Sequence, residues 1–319
     1  MNAFNTITRD MTSVFVRIAL CAGLFIGCIT TNPAHRQGVV LVSTLPDLSG
    51  LAWVEGDLFI GVHDAKRNPA KYNWPRVTLL HLPKSEIEGV TWQSIDVTFP
   101  GPDGPSSDLE SASPIPGGKG FLLAESGQEG EHARRIFHAV YSNGKMNIES
   151  FVNWPVPIEN VEGIEVCQVG QQLVFMYAER AEGQPSTKLR WAPLSLNPLS
   201  FGKFKEVTYK GVDPIGAGVR PISALAADSD GFIYIASAYD SGNDDGPFKS
   251  VVWRIGKMIA DDKGNPVVEL GESKRLATMD GLKVESIAVR ETKEGGKQVY
   301  VGTDDEHYGG IIRLLPDVT

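Results

Sequence analysis

Five short stretches of the chain repeat one another, and each opens with an oxygen-bearing residue. They are Ser49-Gly50-Leu51-Ala52, Glu110-Ser111-Ala112-Ser113, Glu162-Gly163-Ile164-Glu165, Ser223-Ala224-Leu225-Ala226 and Glu285-Ser286-Ile287-Ala288. The lead residues lie 61, 52, 61 and 62 positions apart. A period of this size marks a repeat architecture. Behind each lead comes a β-rich run ending in polar or acidic groups: residues 57–64, 120–126, 172–180, 231–240 and 298–305. Third runs follow at 76–82, 135–141, 188–194, 250–255 and 310–315, and four repeats add a fourth at 92–99, 146–154, 203–209 and 267–277. The runs are rich in Val, Ile, Phe and Tyr and are broken by Gly, Pro, Asn and Asp. No window of about 12 residues beyond the first 37 carries a 3.6-residue apolar period.

The expected fold is therefore all-β. Four antiparallel strands repeated radially make a five-bladed β-propeller. The last repeat lacks a fourth strand, and residues 38–45 (GVVLVSTL) have no partner in the first repeat. That N-terminal strand is expected to close the last blade. A six-bladed ring with one degenerate blade is the alternative. Residues 38–319 form one domain on this reading, because a single blade cannot bury both of its faces.

The first 28 residues read as a signal peptide. Arg9 and Arg17 precede an apolar run of about ten residues, 18–27, which is too short to span a bilayer. Gly27-Cys28 resembles a bacterial lipoprotein cleavage site, with Phe25 where Leu is usual. Cys28 is thus the expected lipidation site, and an ordinary cleaved signal or a retained anchor are the alternatives. Residues 29–37 are a tether. The body is expected outside the cytoplasmic membrane, periplasmic or in the cell envelope, as an outer-membrane lipoprotein if Cys28 is acylated. Losing residues 1–27 removes two Arg and one Asp, which takes the formal charge from −9 to −10. Acidity with no Lys/Arg stripe argues against nucleic acid as a partner. Only Cys167 remains in the body, so no internal disulfide is expected, and its alternating strand points to a buried structural thiol. The membrane is met only through the lipid anchor, and a monomer is expected.

In a propeller the first strand of each blade lines the central channel, so the five leads face one axis. Glu110, Glu162 and Glu285 would repel one another there. A divalent cation relieves that repulsion. Ca²⁺ accepts six to eight oxygen ligands in loose geometry, which admits Ser49 and Ser223 as neutral members. Zinc is disfavoured, because no Cys or His pair has ligand spacing. The competing explanation is structural: the leads cap the blades by bonding to backbone groups next door. The loop 240–246 (DSGNDDG) fails the EF-hand pattern and reads as a polar turn.

The Ser, Glu, Glu, Ser, Glu order resembles the calcium-activated nucleotidases (apyrases), whose central calcium is held by such a ring. Leu48-Ser49-Gly50-Leu51 followed by residues 57–64 is similar to their first motif, and residues 160–165 (NVEGIE) resemble their Tyr-Glu-Gly-Ile-Glu type motif. The phrases DLES, VEGI and VESI, with Ala124-Glu125-Ser126 behind the first, resemble the esterase-like phytase family of secreted bacterial proteins. These short motifs cover most of residues 45–315. The arginine-bearing signature that follows the nucleotidases' first motif has only a loose counterpart in His63-Asp64-Ala65-Lys66-Arg67. The resemblance implies a propeller, a Ca²⁺ cofactor and hydrolysis of a phosphoric ester or phosphoanhydride.

The ends of the second strands should gather charges at one channel mouth. Arg67, Arg180 and Arg220, with His63 and His307, are the expected binders of a small phosphorylated substrate. Asp64 or Asp304 is the expected base for a metal-activated water. Solvated loop charges and salt bridges between blades explain the same residues without chemistry. Ser126 lies outside a Gly-x-Ser-x-Gly elbow, which disfavours a serine hydrolase. Two-carboxylate glycoside hydrolysis stays open, because acids are plentiful. The remaining alternative is a non-catalytic envelope propeller that binds a protein or glycan. Most of the Trp residues read as packing between blades, and Trp74 as exposed.

Overall fold

The computed structural model describes residues 39–40, 45–65, 74–83 and 89–316. Cys28, the signal segment, the tether and Arg67 lie outside the described residues. No helix among the described residues is long and apolar enough to cross a membrane.

Five antiparallel sheets follow in chain order. Strand β1 (Val39–Val40) comes first in the chain but belongs to the last sheet. The first blade is β2 (Gly50–Glu55), β3 (Leu58–Val62), β4 (Val77–His81) and β5 (Thr91–Ser94). The second is β6 (Leu109–Pro114), β7 (Phe121–Glu125), β8 (Arg135–Ser142) and β9 (Lys145–Asn153). The third is β10 (Val161–Val169), β11 (Gln172–Glu179) and β12 (Ser186–Leu196), with β13 (Leu199–Phe201) and β14 (Lys205–Lys210) both pairing with β12. The fourth is β15 (Val219–Ala227), β16 (Phe232–Asp240), β17 (Phe248–Ala260) and β18 (Pro266–Asp280). The fifth runs from β19 (Val284–Glu291) through β20 (Lys297–Thr303) and β21 (Ile312–Leu314) to β1.

The inner strands touch in the order β2, β6, β10, β15, β19 and back to β2, which closes a ring of five. The closing role expected for residues 38–45 is filled by Val39–Val40, the outermost strand of blade five. Sequence patterning missed β13 and shortened the β17–β18 hairpin, which extends past its expected ends on both arms.

Strand alternation builds the core. A strand sends successive side chains to opposite faces. Along β7, Phe121 and Leu123 pack against blade one, while Leu122 and Ala124 pack against blade three. Along β11, Phe175 and Tyr177 face blade two, while Val174 and Met176 face blade four. Each of the five blade junctions therefore holds its own apolar cluster. Second strands are buried on both faces, so they read as unbroken apolar runs. Sharp entries to these strands need glycine. Gly120 has φ 96°, and a Cβ there would stand 2.2 Å from the Ala139 carbonyl oxygen.

Candidate functional site

The inner strands share one irregularity. Pairing with the second strand slips between Leu109 and Ser111, between Val161 and Gly163, between Arg220 and Ala224, and between Val284 and Ser286. The leads Glu110, Glu162, Ser223 and Glu285 occupy these bulges. A bulge re-aims a side chain out of the alternating pattern. Ser49 takes the matching place immediately before β2, its N–H donating to the Val62 carbonyl. Ser49, Glu110, Glu162 and Glu285 line one axial cavity of about 10 Å³, room for a single water-sized body. Gly50 and Gly163 let neighbouring inner strands close around it. A Cβ at Gly163 would lie 2.5 Å from Leu225 Cβ and 2.8 Å from its backbone N.

The ring is not uniform. Ser223 donates to the Val284 carbonyl at 2.7 Å, which is the structural capping role. Ser49 is 1% exposed, and its Oγ has no hydrogen-bond partner among the described residues. The glutamates meet cations. Arg180 Nε donates to Glu162 Oε1 at 2.5 Å. Arg220 pairs through Nη1 with Glu285 and through Nη2 with Asp240 at 2.9 Å. Lys283 Nζ lies 3.6 Å from both Glu285 and Asp304 and also pairs with Glu306. Among the described residues, no three Asp, Glu, His or Cys side chains are grouped as a metal cage. The donor chemistry still suits a hard cation: buried carboxylates with an unpartnered hydroxyl around a one-water space.

Charge is distributed unevenly over the acids. Burial alone would raise Glu285, but Lys283, Arg220 and Arg180 outweigh it and hold that carboxyl down to about 2. Asp304 hydrogen-bonds Glu285 and moves the opposite way: burial, then the Glu285 charge, push it well above the usual carboxylate range. The two carboxyls therefore titrate as a coupled pair, with the proton favoured on Asp304 by burial and by the Glu285 charge. Asp304 is one of the two expected bases, and the upward shift of its carboxyl suits a proton donor better than a base. Asp64, at the corresponding end of β3, is also buried. Asp305 is raised to about 6 by burial.

Other expected site residues fall differently. His63 is fully buried, with Nδ1 2.6 Å from the Asp47 carbonyl and Nε2 2.9 Å from Thr78 Oγ1. Burial lowers it to about 4, so it is neutral at pH 7 and does not serve as a substrate-binding cation. His307 stands exposed beside Asp244 and Asp245. Trp74 is half-buried rather than exposed. Cys167 is buried within the junction of blades three and four, and burial pushes its thiol well up. Three residues along β10 from Glu162, Glu165 is 6% exposed. Its Oε1 accepts from Ser113 Oγ at 3.0 Å and from Val166 N at 3.1 Å, and burial nevertheless raises it to about 8.

Lys283 was missed, although it is the counter-charge of the Asp304–Glu285 pair. A signal existed: Asp47, Asp108, Asn160 and Lys283 each stand two residues before a lead, so a polar position recurs there.

No protein-family model matches this sequence, and no curated protein does. Solved structures match in fold. An endo-1,4-β-xylanase from Bacteroides thetaiotaomicron superposes with a TM-score of 0.50 at 10% identity, over 87% of this chain and 97% of that one. An exo-β-1,3-galactanase from Clostridium thermocellum gives 0.50 at 11% identity, over 89% of this chain and 64% of that one. An arabinanase from Bacillus subtilis gives 0.46 at 13% identity, over 88% and 96%. The chain is a five-bladed β-propeller whose structural neighbours include glycoside-hydrolase propellers.

Proposed function

We propose that the protein is an exported hydrolase, that its reaction centre is the axial mouth, and that it cleaves a glycan. One observation carries this reading: Asp304 and Glu285 are a buried carboxyl pair with Lys283 Nζ 3.6 Å from each, and their surroundings shift the two carboxyls in opposite directions. Glycosidic hydrolysis needs one carboxyl that donates a proton to the leaving oxygen and another that acts on water or the sugar. Asp304, whose protonated form is favoured by burial and by the Glu285 charge, is the proposed donor. Glu285, fixed by Arg220 and Lys283, keeps that proton on Asp304 by remaining ionised. Asp64, at the equivalent strand end of the adjoining blade, is the carboxylate left to take a proton from water. The fold neighbours, a xylanase and a galactanase, are consistent with a glycan substrate, while the chemistry rests on the acid pair. The test is release of reducing sugar from xylan, galactan and arabinan by the purified protein. Asp304→Asn should lower kcat by about 10²-fold or more. Absence of cleavage, or a fully active Asp304→Asn, rejects the reading.

A second reading keeps a calcium-dependent phosphoric-ester hydrolase of the phytase-like or apyrase-like kind, and the unpartnered Ser49 hydroxyl favours it. Glu110, Glu162, Glu285 and Ser49 would hold the ion, which when bound polarises a phosphoryl oxygen. Arg180 and Arg220 would take the phosphate oxygens. Phosphate release from nucleotides or phytate that requires Ca²⁺ and stops with chelator selects this reading. Calcium at 100 times its dissociation constant should also raise stability by ~2.7 kcal/mol. Turnover in neither set of assays leaves a non-catalytic envelope platform. Export and Cys28 acylation are read from the mass of the mature N-terminus.

A further inference from the structure

Glu182 lies on the turn after β11, between Ala181 at φ 48° and Gly183 at φ 71°. The turn is pinned by Gly183 N donating to the Val219 carbonyl at 2.7 Å. This places the Glu182 carboxylate over two arginines. One oxygen, Oε2, stands 3.6 Å from Arg180 Nη1 and 3.9 Å from Arg220 Nε. Both separations exceed a hydrogen bond. The Glu182 side chain is 49% exposed, whereas those of Arg180 and Arg220 are 16% and 6% exposed.

The other faces of these guanidiniums are taken. Arg180 Nε holds Glu162, and Arg220 holds Glu285 and Asp240 through its two terminal nitrogens. Arg220 Nε is buried and has no hydrogen-bond partner among the described residues. An unmade hydrogen bond at a buried, charged donor is costly, so the site is incomplete as it stands. A loosely held surface carboxylate facing that donor is the arrangement of an anion site filled by a substitute.

We propose that Arg180 and Arg220 bind an oxyanion of the ligand where the Glu182 carboxylate now sits, and that Glu182 is a displaceable internal competitor. The ligand group is a phosphate or a sugar carboxylate, since both offer paired oxygens to a guanidinium fork. This deepens the reading of the axial mouth as a reaction centre and rests on it, but its test needs no turnover.

The experiment is calorimetric titration of the full protein with inorganic phosphate and, separately, with glucuronate. Glu182→Gln should bind one of them about fivefold more tightly than the wild type, the equivalent of the ~1 kcal/mol upper range for an exposed ion pair. Tighter phosphate binding identifies a phosphate ester, and tighter glucuronate binding an acidic glycan. Arg220→Lys keeps the charge, loses the Nε–H and should weaken binding. If Arg220→Lys fails to fold, the Glu182→Gln comparison decides alone, because Glu182 is at the surface. Equal affinity of wild type and Glu182→Gln for both anions, or no binding by either, overturns the proposal. Glycan cleavage without anion binding would sink this inference and leave the proposed function standing. Anion binding without any turnover would do the reverse.

Discussion

Replacing Glu165 with Gln should make the protein more stable at alkaline pH and leave it nearly unchanged in acid. Glu165 is buried among three inner strands, hydrogen-bonded to Ser113 of β6 and to its own strand, with Ala227 of β15 also within its reach. Burial lifts its carboxyl from 4.5 to about 8. The folded state therefore keeps a proton that the unfolded chain releases above pH 4.5. Its contribution to stability is complete below that pH and is lost as pH rises to about 8. At about 1.4 kcal/mol per pH unit, the full loss is about 5 kcal/mol, an upper figure. Gln fills the same volume without titrating. Guanidinium unfolding at several pH values from 4.5 to 9 measures the difference. The two proteins should agree at the acid end, and Glu165→Gln should lead by roughly 2–5 kcal/mol at the alkaline end. Pairing the two cancels the buried carboxyls they share, including Asp304 and Asp305. A difference that does not change with pH refutes the assignment of the proton to Glu165.

Arg135→Ala should cost about 3–5 kcal/mol in urea unfolding, because it strands Glu125; both side chains are at most 1% exposed and pair at 2.7 Å. A cost below about 1 kcal/mol would mean that Glu125 had found water or another donor. Gly163→Ala should cost about 1–3 kcal/mol by forcing β10 from β15, and a thermal melt superimposable on the wild type would contradict the close approach. Cys167 should resist a thiol reagent in the folded protein and react once denaturant is added; rapid native labelling would show that the junction between blades three and four is open.

Much of the fold was legible because the signal repeats. Second strands such as 172–180 are packed on both faces, so they appear as apolar runs, and five of them at regular spacing mean five blades. The unpartnered residues 38–45 announced the closing strand by simple strand counting. Less legible were elements without a repeat behind them. β13 is a single short hairpin strand, and the long arms of β17 and β18 are half-exposed, which blurs their pattern.

The site was legible in outline only. Recurrence of Ser or Glu at the leads reflects the bulge that turns those side chains toward the axis, so the ring could be anticipated from Ser49, Glu110, Glu162 and Glu285. Ser223 looked the same in sequence, yet its hydroxyl is taken by the Val284 carbonyl. His63 looked like a free cation beside Asp64, yet its ring is sealed between Asp47 and Thr78. Lys283 carries no repeat signal of its own charge, yet it faces the Asp304–Glu285 pair.

Sequence alone determined the all-β repeat and the residues offered to the axis, and it favoured five blades over six, because these follow from local alternation and spacing. Only the tertiary structure decided which carboxyls are buried beside which charges, which arginine meets which acid and which hydroxyl among the described residues is left unpaired. Those properties depend on burial and on distances of a few ångströms, within one blade for Asp304 and Glu285 or Arg180 and Glu162 and between blades for Arg220 and Glu285, and such contacts leave no local pattern in the chain.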